Sequence, residues 1–312
     1  MEILYLLESV RMPVLDMFFL LITKLGEETA FLVAALIVYW CVDKRKGYYM
    51  LSVGFLGTMA NQFLKITCRI PRPWVLDENF AILEQAREAA AGYSFPSGHS
   101  QSSVGTFGAI SAFTKNRVIR WLCIAACVLV PLSRLYIGVH TPLDVLVGSA
   151  MALVLVFLLK KPVLKHHERS MPVLLVSLLL ISAAQLLYME CWPFPADVDA
   201  HNLESAVKNA YTMLGCSCGT MVIYFAEKRY ENFSAKAVWW AQVLKTVLGL
   251  ALVLAVKEGL RAPLELLFAG HMAARAIRYF LIVVIAGLIW PMTFPMFSKL
   301  GVKNELRNHK KL

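Results

Sequence analysis

The sequence predicts an all-α fold, a polytopic bundle of membrane helices, and three observations carry that prediction. Hydrophobic residues make up 58% of the 312 residues and charged residues only 17%, where a soluble domain carries about 25% charged residues. Apolar runs approaching the roughly 20 residues that cross a bilayer core recur from one end of the chain to the other. Lysine and arginine gather in alternate connections between those runs, the pattern that marks one face of a membrane. The net charge of +10 then reflects topology and contact with anionic lipids and requires no nucleic-acid partner.

Taken in order, an amphipathic stretch at the amino terminus is suited to lie on a membrane surface. Spans are expected at Met12–Leu25, Thr29–Val42, Tyr48–Lys65, Ser100–Thr114, Arg120–Tyr136 and Leu143–Leu159. Four more follow at Met171–Met189, Asn209–Ala226, Val238–Val256 and Ile277–Phe297, which makes ten in all. Several are shorter than a full crossing, a deficit that tilt or local thinning accommodates. The basic connection Lys160–Ser170 separates a motif-bearing unit, 1–160, from a motif-free unit, 161–312, whose tail is cytoplasmic. Basic clusters at Lys44–Lys46, Lys115–Arg120, Lys160–Arg169 and Lys228–Lys236, with the lysine-rich tail, fall on one side. They place both termini in the cytoplasm and the motif segments on the extracytoplasmic face. The seven cysteines form no disulfide framework; Cys123, Cys127, Cys216 and Cys218 read as small buried thiols at helix contacts. No group of four close ligands marks a metal site, and no cofactor is expected.

Three segments carry chemistry: Lys65-x6-Arg72-Pro73, Pro96-Ser97-Gly98-His99, and Ser133-Arg134-x5-His140-x3-Asp144. Each lies at the end of an apolar run. Lys65, Arg72 and Arg134 supply charge for a phosphoryl group, the arginines through forked hydrogen bonds. Ser97 and Gly98 stand just before a helix, where free N–H groups and the helix dipole favour an anion, and Gly98 allows close backbone approach. His140 and Asp144, four residues apart, share a helical face. Asp144 then orients the imidazole of His140 as a nucleophile, and His99 remains as the acid for the leaving oxygen. Singly, these are a helix-end histidine, snorkelling cations and an ordinary helix start. Together at one end of adjacent spans, they are the parts of a phosphate-transfer site.

These three segments resemble the signature of the type 2 phosphatidic acid phosphatase superfamily at every position. The resemblance covers about Met12–Leu159 and implies a six-helix catalytic core, to which this chain adds about four helices. It implies a metal-independent phosphatase with no cofactor, acting on a phosphomonoester or pyrophosphate through a phosphohistidine. His140 becomes the nucleophile, Asp144 its partner and His99 the general acid, with Lys65, Arg72, Ser97, Gly98 and Arg134 as phosphate ligands. Leu25-Gly26-Glu27-Glu28, the later Tyr39-Trp40 and the extra spans are similar to sphingosine-1-phosphate phosphatases. Bacterial undecaprenyl pyrophosphate and phosphatidylglycerophosphate phosphatases share the core equally well. The apolar spans argue against the superfamily's soluble haloperoxidases.

The implied substrates are lipid phosphates of the phosphatidic acid, polyprenyl pyrophosphate, phosphatidylglycerophosphate or sphingoid classes, alongside contact with membrane lipids. The competing class is a membrane transporter or scaffold that binds phosphate without turnover. The four extra spans are expected to serve as packing or homo-oligomer surface. The outer acidic residues Glu190, Asp197, Asp199 and Glu204 are expected to be solvated. The basic segment Lys257–Arg278, with Arg261, His271 and Arg275, is read either as snorkelling side chains or as a cover that meets a lipid headgroup.

Overall fold

The structure, a computed structural model, describes residues 1–87, 90, 92–196, 198–230 and 235–300. Several of its helices begin where the sequence supplies a cap or a proline. The chain opens with α1 (Glu2–Ser9) and α2 (Pro13–Thr23), the latter with proline in its first turn. Next comes α3 (Glu28–Ile37), which continues through a π-helical turn at Val38–Val42. Asp43 caps α4 (Lys44–Cys68) by accepting from the Lys46 N–H, and α5 (Pro73–Leu76) is a single turn. Ser97 caps α6 (Gly98–Phe113), and Asn116 caps α7 (Arg117–Ile137) with bonds of 2.8 and 3.2 Å. A reciprocal Thr141–Asp144 capping box starts α8 (Pro142–Lys165). Then follow α9 (His167–Cys191), α10 (Ala200–Tyr230), α11 (Trp239–Gly259) and α12 (Arg261–Leu267). The last described elements are α13 (Ala273–Val284), a second π-helical turn at Ile285–Ile289, and α14 (Phe294–Lys299). The chain is an all-α, multi-pass membrane protein.

Among the described residues, five stretches are long and apolar enough to cross a bilayer: Arg117–Ile137, Pro142–Lys165, His167–Cys191, Trp239–Leu267 and Ala273–Lys299. A sixth is the bent pair Pro13–Gly26 and Glu28–Val42, which meet at 55°. The expected ten are therefore not matched one for one. α6 has only 16 residues, while α4 and α10 bury Ser52, Asn61, Thr212, Ser217 and Thr220. These three polar helices pack among the apolar ones.

The first expected span requires a second correction. Arg11, just before α2, donates to the carbonyls of Ala81 (2.7 Å) and Tyr136 (3.1 Å). Thr23, at the other end of α2, accepts from Arg134 at 2.8 Å. Both ends of α2 are thus held at the carboxyl end of α7, so Met12–Leu25 does not traverse the bundle. Tyr5 bonds Asp77, and Leu4 packs with Phe80 and Ile82 of the motif loop. The amino-terminal helix lies at the motif end of the bundle. Hydropathy marked α2 as lipid-compatible, and its Val14, Met17 and Leu21 are exposed; it carries no information on direction.

The motif-free helices share the main core with the motif-bearing ones. Tyr39, Trp40, Tyr49 and Phe55 pack in one cluster with Met171, Met213, Ile223 and Phe294. The two π-helical turns face each other there. A π turn leaves carbonyls without their usual helical partner, and Trp40 Nε1 donates to Ala286 O (2.8 Å) while Tyr39 Oη donates to Gly287 O (3.0 Å).

Candidate active site

At the motif end lies a cavity of about 360 Å³ whose wall includes Lys65, Arg72, Gly98, His99, Arg134 and His140. Six of the eight residues singled out in the sequence therefore meet around one space. Ser97 and Asp144 stand behind the wall, both buried.

Arg72 is aimed by the proline that follows it. A residue before proline is held extended, as Arg72 is at φ −71° and ψ 156°. Its Nε donates to Gly92 O and its Nη1 to Val139 O, both at 2.8 Å, and Nη1 also lies 2.9 Å from His140 Nε2. A guanidinium has no acceptor, so Nε2 accepts and the ring proton sits on Nδ1. Burial, then Arg72 and the more distant Arg134 and Lys65, push the His140 imidazole well below its ordinary value of 6.5. Burial and the neighbouring cations thus favour the neutral imidazole.

Gly138 determines how His140 arrives. It ends α7 at φ 88°, in the left-handed region, and a Cβ there would lie 2.8 Å from Arg11 Nη2 and 2.9 Å from the Phe80 ring. Two residues on, His140 precedes the capping box of α8 and does not sit on the helix itself. Its Nδ1 is 3.5 Å from Asp144 Oδ2, beyond normal hydrogen-bond length. Ser94 fills the gap. Its hydroxyl donates to Asp144 Oδ2 at 2.6 Å and lies 3.4 Å from His140 Nδ1. Asp144 Oδ2 also accepts from Thr141 N–H at 2.7 Å. The contact expected between His140 and Asp144 is thus loose, and Ser94, a residue the motifs do not include, stands beside both.

The remaining cations come from helix ends. Lys65, in the last turn of α4, donates to Tyr93 O at 2.5 Å. Arg134 is 1% exposed, and its Nε is a buried donor without a partner among the described residues. His99 occupies the first turn of α6. Ser97 Oγ accepts from the N–H (3.4 Å) and hydroxyl (2.9 Å) of Ser100, and Ser97 N–H donates to Asp144 O at 3.0 Å. The Ser97 side chain therefore builds the helix entry and does not face the cavity. A Cβ on Gly148 would stand 2.5 Å from Ser97 O; glycine lets α8 pass this close.

Ser94 and Thr23 escaped the motif reading because nothing in their local sequence distinguishes them from other hydroxyl residues. Glu27 and Glu28, within the Leu25–Glu28 segment singled out for its resemblance, also line the cavity. The basic segment does not cover the site. Lys257, Arg261, His271, Arg275 and Arg278 line a separate cleft of about 590 Å³ with Lys208, and Arg275 Nε donates to Thr212 Oγ1 at 2.8 Å. Of the acidic residues, Asp199 accepts from Asn202 N–H at 2.8 Å, Glu204 pairs with Lys208 at 2.7 Å, and Asp197 lies outside the described residues.

The model of the PAP2 superfamily matches residues 45–167, and that of the PAP2 superfamily phosphatase transmembrane extension matches residues 211–304. A probable sphingosine-1-phosphate phosphatase of Dictyostelium discoideum is 31% identical over 160 residues, 47% of this chain and 38% of that protein. The undecaprenyl-diphosphatase BcrC of Bacillus subtilis is 30% identical over 105 residues, 34% and 51% of the respective chains. Phosphatidylglycerophosphatase B of the same bacterium is 30% identical over 164 residues, 48% of this chain and 76% of that protein. The chain thus spans only 38% and 51% of the first two relatives. A crystal structure of Aquifex aeolicus LpxE shares 26% identity at a TM-score of 0.45, over 51% of this chain and 93% of that one. Two family models reaching into both halves, and a relative aligned over most of its own length, establish that the chain belongs to the PAP2 superfamily.

Proposed function

We propose that the protein hydrolyses a lipid phosphate, a phosphomonoester or pyrophosphate, through a phosphohistidine on His140, without a metal, at the extracytoplasmic face. The observation that carries this reading is the pairing of a neutral His140, whose Nε2 lone pair already meets Arg72, with the unpartnered Arg134 Nε in the same cavity wall. An incoming phosphate takes the arginine donors, and Nε2 is left to attack phosphorus. Positioning and charge neutralisation supply most of the rate in phosphoryl transfer; here Lys65, Arg72 and Arg134 do the neutralising, with the first-turn N–H groups of Gly98 and His99.

In the first step the Nε2–P bond forms and the P–O bond to the leaving group breaks, the departing oxygen taking a proton from His99. Asp144, through Ser94, holds the Nδ1 proton as the ring becomes cationic. In the second step His99 removes a proton from water, which attacks phosphorus and releases inorganic phosphate with a free imidazole. Ser97 serves by capping α6 and tying it to α8. The basic clusters at the opposite end of the bundle support the outward orientation, and residues 1–160 carry the chemistry.

The test is phosphate release from lipid phosphates by the purified protein with a chelator present, together with trapping of an acid-labile phosphoenzyme. Turnover and trapping by the parent, both lost in His140→Ala, are expected. Turnover that survives His140→Ala, or that ceases with chelator, overturns the mechanism; binding without release by the parent leaves a phosphate-binding transporter or scaffold.

A further inference from the structure

The motif-free helices carry a concentration of positive charge of their own. α10, the end of α11, α12 and the start of α13 border the cleft of about 590 Å³, and none of its lining residues belongs to the catalytic cavity. Five cations line it, Lys208, Lys257, Arg261, Arg275 and Arg278, against two carboxylates, Glu258 and Glu265. Three of the five have a carboxylate on their own helix. Lys208 lies 2.7 Å from Glu204, Lys257 3.9 Å from Glu258 and Arg261 3.3 Å from Glu265. Exposed pairs of this kind contribute little to stability, and they leave the two remaining arginines unmatched.

Arg275 and Arg278 form no ion pair among the described residues; Glu28 attracts Arg275 through space. Arg278 is 8% exposed, and its Nε is a buried donor without a partner among the described residues. A snorkelling side chain extends its charge into water, whereas this one keeps its charge under cover in the cleft wall. Arg275 is fixed against α10 by its Nε, which donates to Thr212 Oγ1 at 2.8 Å. The two guanidinium carbons lie 5.4 and 5.6 Å from the centroid of the Tyr279 ring. Like charges three residues apart on one helix repel, and a buried charge without a counter-charge is costly. A tetrahedral oxyanion offsets both costs, because its oxygens accept from two guanidinium forks at once.

We infer that this cleft is a second phosphate-binding site, separate from the catalytic one, in which Arg275 and Arg278 hold the phosphate group of a bound anion. Two sources supply that group. One is the phosphodiester headgroup of an anionic membrane lipid. Leu266 and Leu267, at the end of α12, are 85% and 75% exposed, an apolar edge that fits the headgroup boundary of a bilayer and sets the cleft beside lipid. The other source is inorganic phosphate. The site takes no part in the chemistry at His140, so it stands independently of the phosphatase reading.

The experiment titrates the full-length protein, in a nonionic detergent, with inorganic phosphate and separately with a short-chain phosphatidylserine, and reads Kd by calorimetry. Arg275→Gln and Arg278→Gln are each expected to weaken binding at one site by about tenfold, the loss of a charge-assisted hydrogen bond. Hydrolysis of a soluble aryl phosphate by both variants is expected to stay parental. Arg134→Gln, in the catalytic wall, is expected to leave that same site at its parental Kd. Weakening with phosphatidylserine alone supports the site and identifies the lipid headgroup as its ligand. Weakening with inorganic phosphate, alone or with both probes, supports it and identifies the phosphate group whichever molecule carries it. If Arg278→Gln fails to fold, Arg275→Gln, at a half-buried position, carries the same test. Parental Kd for both probes in the arginine variants that fold overturns the inference, as does equal weakening in Arg134→Gln. Failure of the parent to hydrolyse the aryl phosphate would count against the phosphatase reading and leave this test intact, because its readout is binding.

Discussion

Ser94 shows how much of the site's chemistry rests on one hydroxyl outside the motifs. It donates to Asp144 at 2.6 Å and stands 3.4 Å from the ring nitrogen it helps orient. A hydrogen bond to a charged group contributes about 1.5–3 kcal/mol, and tenfold in rate corresponds to about 1.4 kcal/mol. Ser94→Ala should therefore lower kcat by about 10- to 100-fold with KM near parental, because the phosphate ligands are untouched. Steady-state kinetics on an aryl phosphate check this; a loss confined to KM would contradict the relay. His140 also gives the empty protein a pH dependence. Its folded-state value lies below 6.5 because of burial and Arg72, so on acidification the unfolded chain binds the proton before the native one does. Stability is lost as pH falls below the ordinary imidazole value, and nothing is contributed above it. Melting of the detergent-solubilised protein between about pH 7 and pH 5 should show a steeper decline for the parent than for His140→Gln. Equal slopes would remove His140 from this dependence.

At the scale of elements, the site depends on how α6 enters against α8. Ser97 caps α6, its N–H reaches the Asp144 carbonyl, and Gly148 lies where a Cβ would come within 2.5 Å of Ser97 O. The neighbour at that position is backbone, so it has no rotamer to yield. Gly148→Ala should cost about 1–3 kcal/mol through overpacking and should reduce turnover as well, since the same shift displaces Asp144 and His99. Gly259 has no atom within 4 Å of an added Cβ, and Gly259→Ala should leave both melting temperature and turnover near parental. Comparable losses in the two variants would show that the close α6–α8 approach is not their cause, since alanine raises helix propensity at both sites. The facing π-helical turns act similarly at the other end, where Trp40 and Tyr39 take the freed carbonyls of Ala286 and Gly287 and lock the added helices onto the core.

For the whole molecule, the path of α2 determines topology. Arg11 and Thr23 both reach the Arg134–Tyr136 end of α7, which puts the amino-terminal helices beside the motif loop and predicts that they share its membrane face. In a cysteine-free background, a membrane-impermeant thiol reagent should label cysteines placed at Ser9 and Asn79 and miss one at Asn116, all three being exposed positions. Labelling of Asn116 with protection of Asn79 would turn the site toward the cytoplasm. Protection of Ser9 with labelling of Asn79 would restore the amino terminus to the opposite face.

The sequence by itself determined the fold class and six of the residues that wall the cavity, because both depend on local quantities. Apolar runs state which segments tolerate lipid, and motif residues placed at helix ends gather wherever those ends gather. Asp144 was legible from its four-residue spacing to His140 and Ser97 from its place just before a helix; the structure shows both as caps, at the starts of α8 and α6. Tertiary structure decided the rest. Ser94 meets His140 across 46 positions and Thr23 meets Arg134 across 111, and neither separation leaves a periodic trace in composition. The course of α2 beside the end of α7 and the separate cleft of Arg275 and Arg278 depend on which helix faces pack together. Hydropathy measures how much a segment favours lipid over water; side-chain packing between distant segments sets direction, depth and partner.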